Sequence, residues 1–343
     1  MHLPPRRHPP QPPQTPAQTP ARPQFHPGHR ATQWRISFFD RAIEIDPGYA
    51  WAIGSRGQTY RQMGRHEEAL ADLTRAIEMD PGYYWAIGQR GTTYQLMGRY
   101  EEAVADFDRA IEINPGYAWA IGQRGDTYRL MGRYEEALAD LNRAVEINPD
   151  GAFAIGQRGT TYRTMGRYEE ALADLGRAIE IESGVAWVIA SRGETYRLMD
   201  RYDQALADLN RALEIDPGYA FAIDSRGQTY RQMGRYEEAV ADLDRAIEIN
   251  PDSAFAIRQR GEAYRQMGRH DDAITDLTRA IETDPSVAWV IASRGRAYRA
   301  IGRYDEAIAD LTRAFVLDPS KDDVRTEWED LRQQLRQRHQ SEG

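Results

Sequence analysis

Apolar residues recur along this chain on two short helical faces set in opposite directions. From Ala50 to Tyr83 the sequence reads AWAIGSRGQTYRQMGRHEEALADLTRAIEMDPGY. Ile53 and Tyr60 share one helical face, and Gly57 lies between them, where a missing side chain lets another helix approach closely. Ala69, Leu73, Ala76 and Ile77 line a second face. Gly64 interrupts the pattern, and Arg65 leads out of the turn. Glu67 and Glu68 follow, where carboxylates favour the exposed amides of a helix start. Asp80-Pro81-Gly82 ends the second run, because proline and glycine both disfavour continuation. The pattern predicts helices over residues 51–63 and 66–79, joined as an antiparallel pair.

This pair repeats every 34 residues. The register is marked by Pro47, Pro81, Pro115, Pro149, Pro217, Pro251, Pro285 and Pro319, with Ser183 at the one gap. Eight complete units start at Ala50, Tyr84, Ala118, Ala152, Ala186, Ala220, Ala254 and Ala288 and occupy residues 50–321. A fixed period of this length predicts an all-α solenoid, an α-α superhelix of tandem helix-turn-helix repeats in which each unit packs on its neighbours. Residues 32–49 match only the second half of a unit, through Phe39, Ala42 and Ile43. The array is therefore expected to open on a half repeat, with a truncated gene or a detached domain as one explanation. Residues 322–338 keep Val324, Trp328, Leu331 and Leu335 on one face and polar residues elsewhere, as a capping helix should. Residues 1–30 hold ten of the eighteen prolines, so residues 1–31 are expected to be a disordered tail. Residues 339–343 are expected to be disordered as well.

Composition narrows the chemistry. The net charge is -9, which speaks against nonspecific nucleic-acid binding as the main role. There is no cysteine, so disulfides, thiolate chemistry and zinc sites of the cysteine type are excluded. No apolar run reaches membrane-span length, and a cytoplasmic location is the default reading. No phosphate-binding GxxxxGK loop is present. His66 and His270 replace a recurrent tyrosine at a turn, where packing is the expected role. Paired acids recur at every helix start, which argues against a single acid–base or metal site. The expectation is a non-enzyme with no cofactor and no metal.

Two polar columns cross the array. Counting each unit from its first residue, place seven is always arginine (Arg56, Arg90, Arg124, Arg158, Arg192, Arg226, Arg260, Arg294). Place twenty-three is always aspartate (Asp72, Asp106, Asp140, Asp174, Asp208, Asp242, Asp276, Asp310). Both border the apolar stripes, which predicts partly buried bidentate pairs between the helices of a unit.

The recurrence of Gly57, Tyr60, Ala69, Ala76 and Pro81 in unit after unit resembles the tetratricopeptide repeat family, over roughly residues 32–321. The place-seven arginine, where many members carry leucine, is similar to bacterial arrays with "SRG" at that point. The resemblance implies a superhelix whose first helices line a concave groove, and a scaffold or adaptor that binds a partner protein or peptide there. It implies no catalysis. A regulatory array detached from a larger bacterial signalling or transcription protein is the second reading, and nucleic-acid binding a minor third. Self-association through the incomplete first unit is a further possibility.

Carried onto this chain, the groove bears an aromatic column at place two: Trp51, Trp85, Trp119, Phe153, Trp187, Phe221, Phe255 and Trp289. Place twelve adds Arg61, Arg129, Arg163, Arg197, Arg231, Arg265 and Arg299, with Gln95 the exception. Aromatics and arginine are the composition of a binding hot spot, and suit an acidic peptide or surface. Two readings stay open for each column. The rings either pack on the preceding unit or face the groove, and the arginines either pair with nearby carboxylates or stand ready for a ligand. Specificity is expected where units differ: Gln58, Asp126, Glu194, Glu262 and Arg296 at place nine, Asp224 and Arg258 at place five. Glycine at place five of units one to four predicts an open early half. The asparagine pattern of members that clamp a terminal carboxylate is absent.

Overall fold

The computed structural model describes residues 27–342, with side chains from 33 to 337. Eighteen helices and no strand occur among them. They fall into two bodies, one ending at Ile113 and one starting at Asn114. The first holds α1 (Pro27–Ile45), α2 (Ala50–Gln62), α3 (His66–Met79), α4 (Tyr84–Leu96) and α5 (Tyr100–Ile113). The second runs from α6 (Ala118–Leu130) and α7 (Tyr134–Ile147) through α8 (Ala152–Thr164), α9 (Tyr168–Ile181), α10 (Ala186–Leu198) and α11 (Tyr202–Ile215). It continues with α12 (Ala220–Gln232), α13 (Tyr236–Ile249), α14 (Ala254–Gln266), α15 (His270–Thr283), α16 (Ala288–Ala300) and α17 (Tyr304–Leu317), and closes on α18 (Asp322–Glu342).

Most of the proline-rich stretch lies outside the described residues, and α1 starts at Pro27, a first-turn position that proline tolerates. On α1, Ile36, Phe39 and Ile43 are buried, while Trp34 and Phe38 are exposed. At the other end α18 continues to Glu342, since no proline or glycine interrupts it.

The core repeats with the sequence. Place-four isoleucines such as Ile53, Ile155 and Ile223 and place-twenty-four residues such as Leu73, Phe107 and Leu175 are fully buried. A Cβ built on Gly159 would lie 2.9 Å from Leu175 Cγ and 3.2 Å from the Ala171 carbonyl oxygen. Only glycine fits that crossing, and Gly57, Gly125, Gly193 and Gly261 meet the same leucine distance. Turn glycines such as Gly64 take positive φ, whereas Asp200 takes φ 57 in the same place, a conformation that a short polar side chain tolerates.

The place-seven arginines bind as the sequence implied. Arg158 donates from Nε and Nη2 to Asp174 at 2.7 and 2.8 Å. The same two-bond contact recurs at Arg56–Asp72, Arg192–Asp208, Arg226–Asp242, Arg260–Asp276 and Arg294–Asp310. Arg90–Asp106 and Arg124–Asp140 complete the series.

A third bond reaches back to the preceding unit. Nη1 of Arg158 donates to Asn142, that of Arg226 to Asn210, of Arg260 to Asp244, and of Arg294 to Thr278. In the first body Arg56 reaches Asp40 and Arg90 reaches Thr74. Each of these six guanidiniums therefore joins three helices. Arg192 faces Gly176 at that place, and its side chain is 22% exposed against 17% for Arg158. A Cβ at Gly176 would meet nothing within 4 Å. Gly176→Asn should restore the third bond. We expect a gain of about 1 kcal/mol, from one hydrogen bond and relief of a mid-helix glycine. Slower amide exchange in α9 and α10 would register it, and unchanged exchange would refute it.

Two further bonds hold successive units together. The place-twenty-six arginines cap the loop carbonyl before their own unit, as Arg75 does at Pro47 and Arg143 at Pro115. Because the acceptor is backbone, Arg211 makes the same bond at Ser183, where proline is missing. In α18, Trp328 stands at place seven of the next register and donates Nε1–H to Thr312 at 2.8 Å. It thus takes the third bond of the arginines while stacking on Phe315 at 6.4 Å.

Candidate functional site: the face of the first helices

In the second body the first helices of successive units touch one another: α6 meets α8, α8 meets α10, α10 meets α12, α12 meets α14 and α14 meets α16. The second helices α9, α11 and α13 have no such close pairs. A row of helices closer on one side than the other curves toward the closer side. The first helices therefore line the inner face of that body. In the first body α2 and α4 make the same contact.

The place-two rings are half-buried or partly exposed, and they pack backward. A Cβ on Gly156 would lie 2.7 Å from Trp187 Cη2, and one on Gly54 would lie 3.3 Å from Trp85 Cζ3. Phe153 covers Gly122 in the same way at 3.6 Å. Gly54, Gly122 and Gly156 are thus covered by the next ring, and there the face is not open as expected. Glycine is there because an indole or phenyl needs the room of a missing Cβ. Trp51 and Trp289 keep the most exposed rings, at 48% and 38%. Trp51 packs on Tyr49, Trp85 stacks on Tyr83, and Phe221 leans on Tyr219. Trp119 packs on Tyr117 at 5.4 Å.

The place-twelve arginines divide into two groups. Arg129 donates from Nε and Nη2 to Asp126 at 3.0 and 2.7 Å. Arg197 does the same to Glu194 at 2.8 and 2.6 Å, and adds a bond to Gln232. Arg265 pairs with Glu262, which also accepts from Gln266. Each acid stands three residues before its arginine, at place nine, one helical turn away. In the alternating units place nine is Thr160, Gln228 or Arg296. There Arg163, Arg231 and Arg299 have no carboxylate partner. The Nε atoms of Arg163 and Arg231 are buried without any hydrogen bond. Burial lowers the pKa of both guanidiniums, against the raising influence of Glu194 on Arg163 and of Glu262 on Arg231.

In the first body Arg61 donates to Gln89 at 3.1 Å while its Nε is buried and unbonded, and Gln58 beside it is half-buried. Arg296 turns to the cap, donating to Glu327 and Asp323 of α18. Arg258 lies over the Phe255 ring at 5.1 Å. Asp224 is half-buried, its Oδ1 is buried without a hydrogen bond, and desolvation pushes the carboxyl up to about 6.

A cavity of about 300 Å³ opens on this face beside Arg163. It is walled by Trp187, Tyr219 and Phe221 and floored by Gln157, Thr160 and Ser191, with Arg129 at one side. The Arg163 guanidinium lies 5.9 Å from the Phe221 ring centroid. Sequence reasoning found both columns but not their coupling. The signal was in the sequence, as the alternation of acid and non-acid at place nine from Asp126 to Arg296.

Stacked helix pairs with a common inner face define a solenoid of the helical-repeat class. Family models described as tetratricopeptide repeat match residues 50–83, then overlapping stretches 84–150, 118–183, 152–218, 182–252 and 219–286, and finally 290–321. The chain belongs to the tetratricopeptide repeat family, whose repeats are protein-interaction scaffolds in general and typically non-catalytic. No match is found among the curated proteins.

Solved structures agree on the fold. A chain of the APC/C hetero-tetramer Cut9-Hcn1 is 15% identical with a TM-score of 0.73, over 88% of this chain and 59% of its own length. This chain thus spans well under two thirds of that neighbour. A tetratricopeptide repeat protein from Parabacteroides merdae is 19% identical with a TM-score of 0.53, covering 72% of this chain and 98% of its own. The pilF protein of Pseudomonas aeruginosa is 18% identical with a TM-score of 0.56, covering 63% and 97%. Among the described residues no helix is long and apolar enough to cross a membrane.

Proposed function

We propose that this array is a non-enzymatic scaffold that binds an extended segment of a partner protein along the face of its first helices. The observation that carries the reading is the arrangement of α8, α10 and α12. Their inner face holds half-buried rings, a cavity beside Arg163, and two half-buried guanidiniums, of Arg163 and Arg231, whose Nε atoms are buried without a hydrogen bond and which have no carboxylate partner. Partial desolvation of a cation with no paired anion is costly, and a ligand carboxylate would offset that cost. Polyanion binding along the whole arginine column is disfavoured, because Arg129, Arg197 and Arg265 are already neutralised by acids on their own helices. An acidic protein segment asks for fewer free cations than nucleic acid does.

A random-peptide display library panned on the intact chain tests this reading. Enriched peptides should slow amide exchange in α8, α10 and α12 and leave α9, α11 and α13 unchanged. No enrichment, or protection confined to the second helices, would overturn it.

A further inference from the structure

We infer that place nine selects which arginines of the inner face are open to a ligand, and that the open pair Arg163 and Arg231 recognises two carboxylates of one extended peptide. The inference rests on the groove-binding reading above and specifies its ligand chemistry.

Within residues 114–342 the alternation is strict. Acids at place nine close Arg129, Arg197 and Arg265, each through two hydrogen bonds to a carboxylate one turn earlier. Thr160 and Gln228 cannot do so. Thr160 is spent on its own helix, its hydroxyl donating to the Gly156 carbonyl at 3.0 Å. The units are otherwise near copies, so the difference between a closed and an open arginine is one side chain. The open residues therefore fall on every second unit. Among the place-twelve arginines of this body, Arg163 and Arg231 are the two whose Nε is both buried and unbonded.

The surroundings decide the ligand. Arg163 is set among Trp187, Tyr219 and Phe221 around a cavity of about 300 Å³, large enough for a carboxylate-bearing side chain. Its charged neighbours Arg129 and Arg197 are each held by their own acid, so a guest anion would meet one uncompensated cation. Charge-assisted, bidentate contact with a half-buried guanidinium favours a planar carboxylate. On α12, Asp224 lies seven residues before Arg231, roughly 10 Å along the helix axis, and leaves that guanidinium unpaired. Adjacent first helices lie ~8–10 Å apart, so Arg163 and Arg231, two helices apart, are separated by ~16–20 Å. An extended chain covers that distance in about five to six residues. Side chains alternate sides along an extended chain, so the ligand is an extended acidic peptide with carboxylates about six residues apart, both on the side facing the array.

The test uses fluorescent twelve-residue Gly/Ser peptides with Glu at positions 4 and 10, with Glu at position 4 alone, and with Gln at both. Binding to the full chain is measured at low salt. The two-Glu peptide should bind about tenfold more tightly than the one-Glu peptide, and the Gln peptide weakest. Thr160→Glu copies the closed units, whose Glu194 and Glu262 are equally buried, and should abolish the advantage of the second Glu. Gln228→Glu should do the same from the other side. Thr160→Gln carries the bulk without the charge and should retain most of the binding. Equal affinity for Glu and Gln peptides would overturn the inference, as would unchanged affinity in Thr160→Glu. So would a single-stranded oligonucleotide that outcompetes the two-Glu peptide. If displayed peptides protect the first helices but show no acidic preference, this inference fails while the groove reading stands. If no peptide binds at all, both fail.

Discussion

Replacing Asp174 by alanine should cost about 3 kcal/mol in the opening of the unit formed by α8 and α9. The loss comes from the stranded partner. Arg158 gives two bonds to Asp174, and the two side chains are only 17% and 12% exposed. Removing one member of a buried pair leaves an uncompensated charge, at about 3–5 kcal/mol, and partial solvent access brings this case to the lower end. The bond from Arg158 to Asn142 survives and keeps the guanidinium in place, so it cannot swing out to water without breaking a contact to the previous unit. Because repeat arrays unfold in parts, a single melting midpoint would mix units. Amide exchange in α8 and α9 resolves them, and should accelerate by about two decades. The double variant Arg158→Met with Asp174→Leu should recover most of the loss, since a packed apolar pair can replace an ion pair. A loss below about 0.5 kcal/mol would place the pair with ordinary surface bridges and contradict the three-helix role.

Asp224→Ala should stabilise the chain by about 1–2 kcal/mol at pH 7.5 and lose that advantage near pH 3.5. The Asp224 carboxyl is pushed up to about 6 by desolvation, against an ordinary value near 3.9. A raised carboxyl pKa means that the folded state holds its proton longer than the unfolded chain does. Native stability therefore falls as pH rises from about 4 through 6, and stays at its lower level above. The full shift corresponds to more than 2 kcal/mol, which solvent around a half-buried group reduces. Alanine suits the site, because Ala190 and Ala292 occupy place five in other units and are fully buried. Denaturant unfolding at the two pH values measures the difference. An equal gain at both, or a loss at pH 7.5, would show that the carboxyl is not a desolvated burden.

The two results test different kinds of residue. The Arg158–Asp174 pair recurs in every unit and serves assembly. Asp224 occurs in one unit, on the face where a partner is proposed to lie. A costly group that breaks the repeat at a candidate site is the pattern expected where stability has been exchanged for recognition.

The sequence by itself determined the helices, their period, the buried columns and the Arg–Asp pairing. These follow from local spacing repeated eight times, so each column is read many times over. It also held the acids at place nine that close Arg129, Arg197 and Arg265, although one-turn pairing becomes meaningful only when both side chains are seen to share a face. Only the tertiary structure decided what lies between units. Glycine at place five looked like an open floor, but the ring of the next unit fills it, as Trp187 does over Gly156. The third bond of the place-seven arginine, from Arg158 to Asn142 sixteen residues back, depends on where the previous second helix comes to rest. The lack of a carboxylate partner at Arg163 and Arg231 likewise shows only once their neighbours in adjacent units are in place. Period and hydrophobic pattern are properties of the chain. The partners of a buried charge are set by packing between units, and that is where this protein keeps its candidate site.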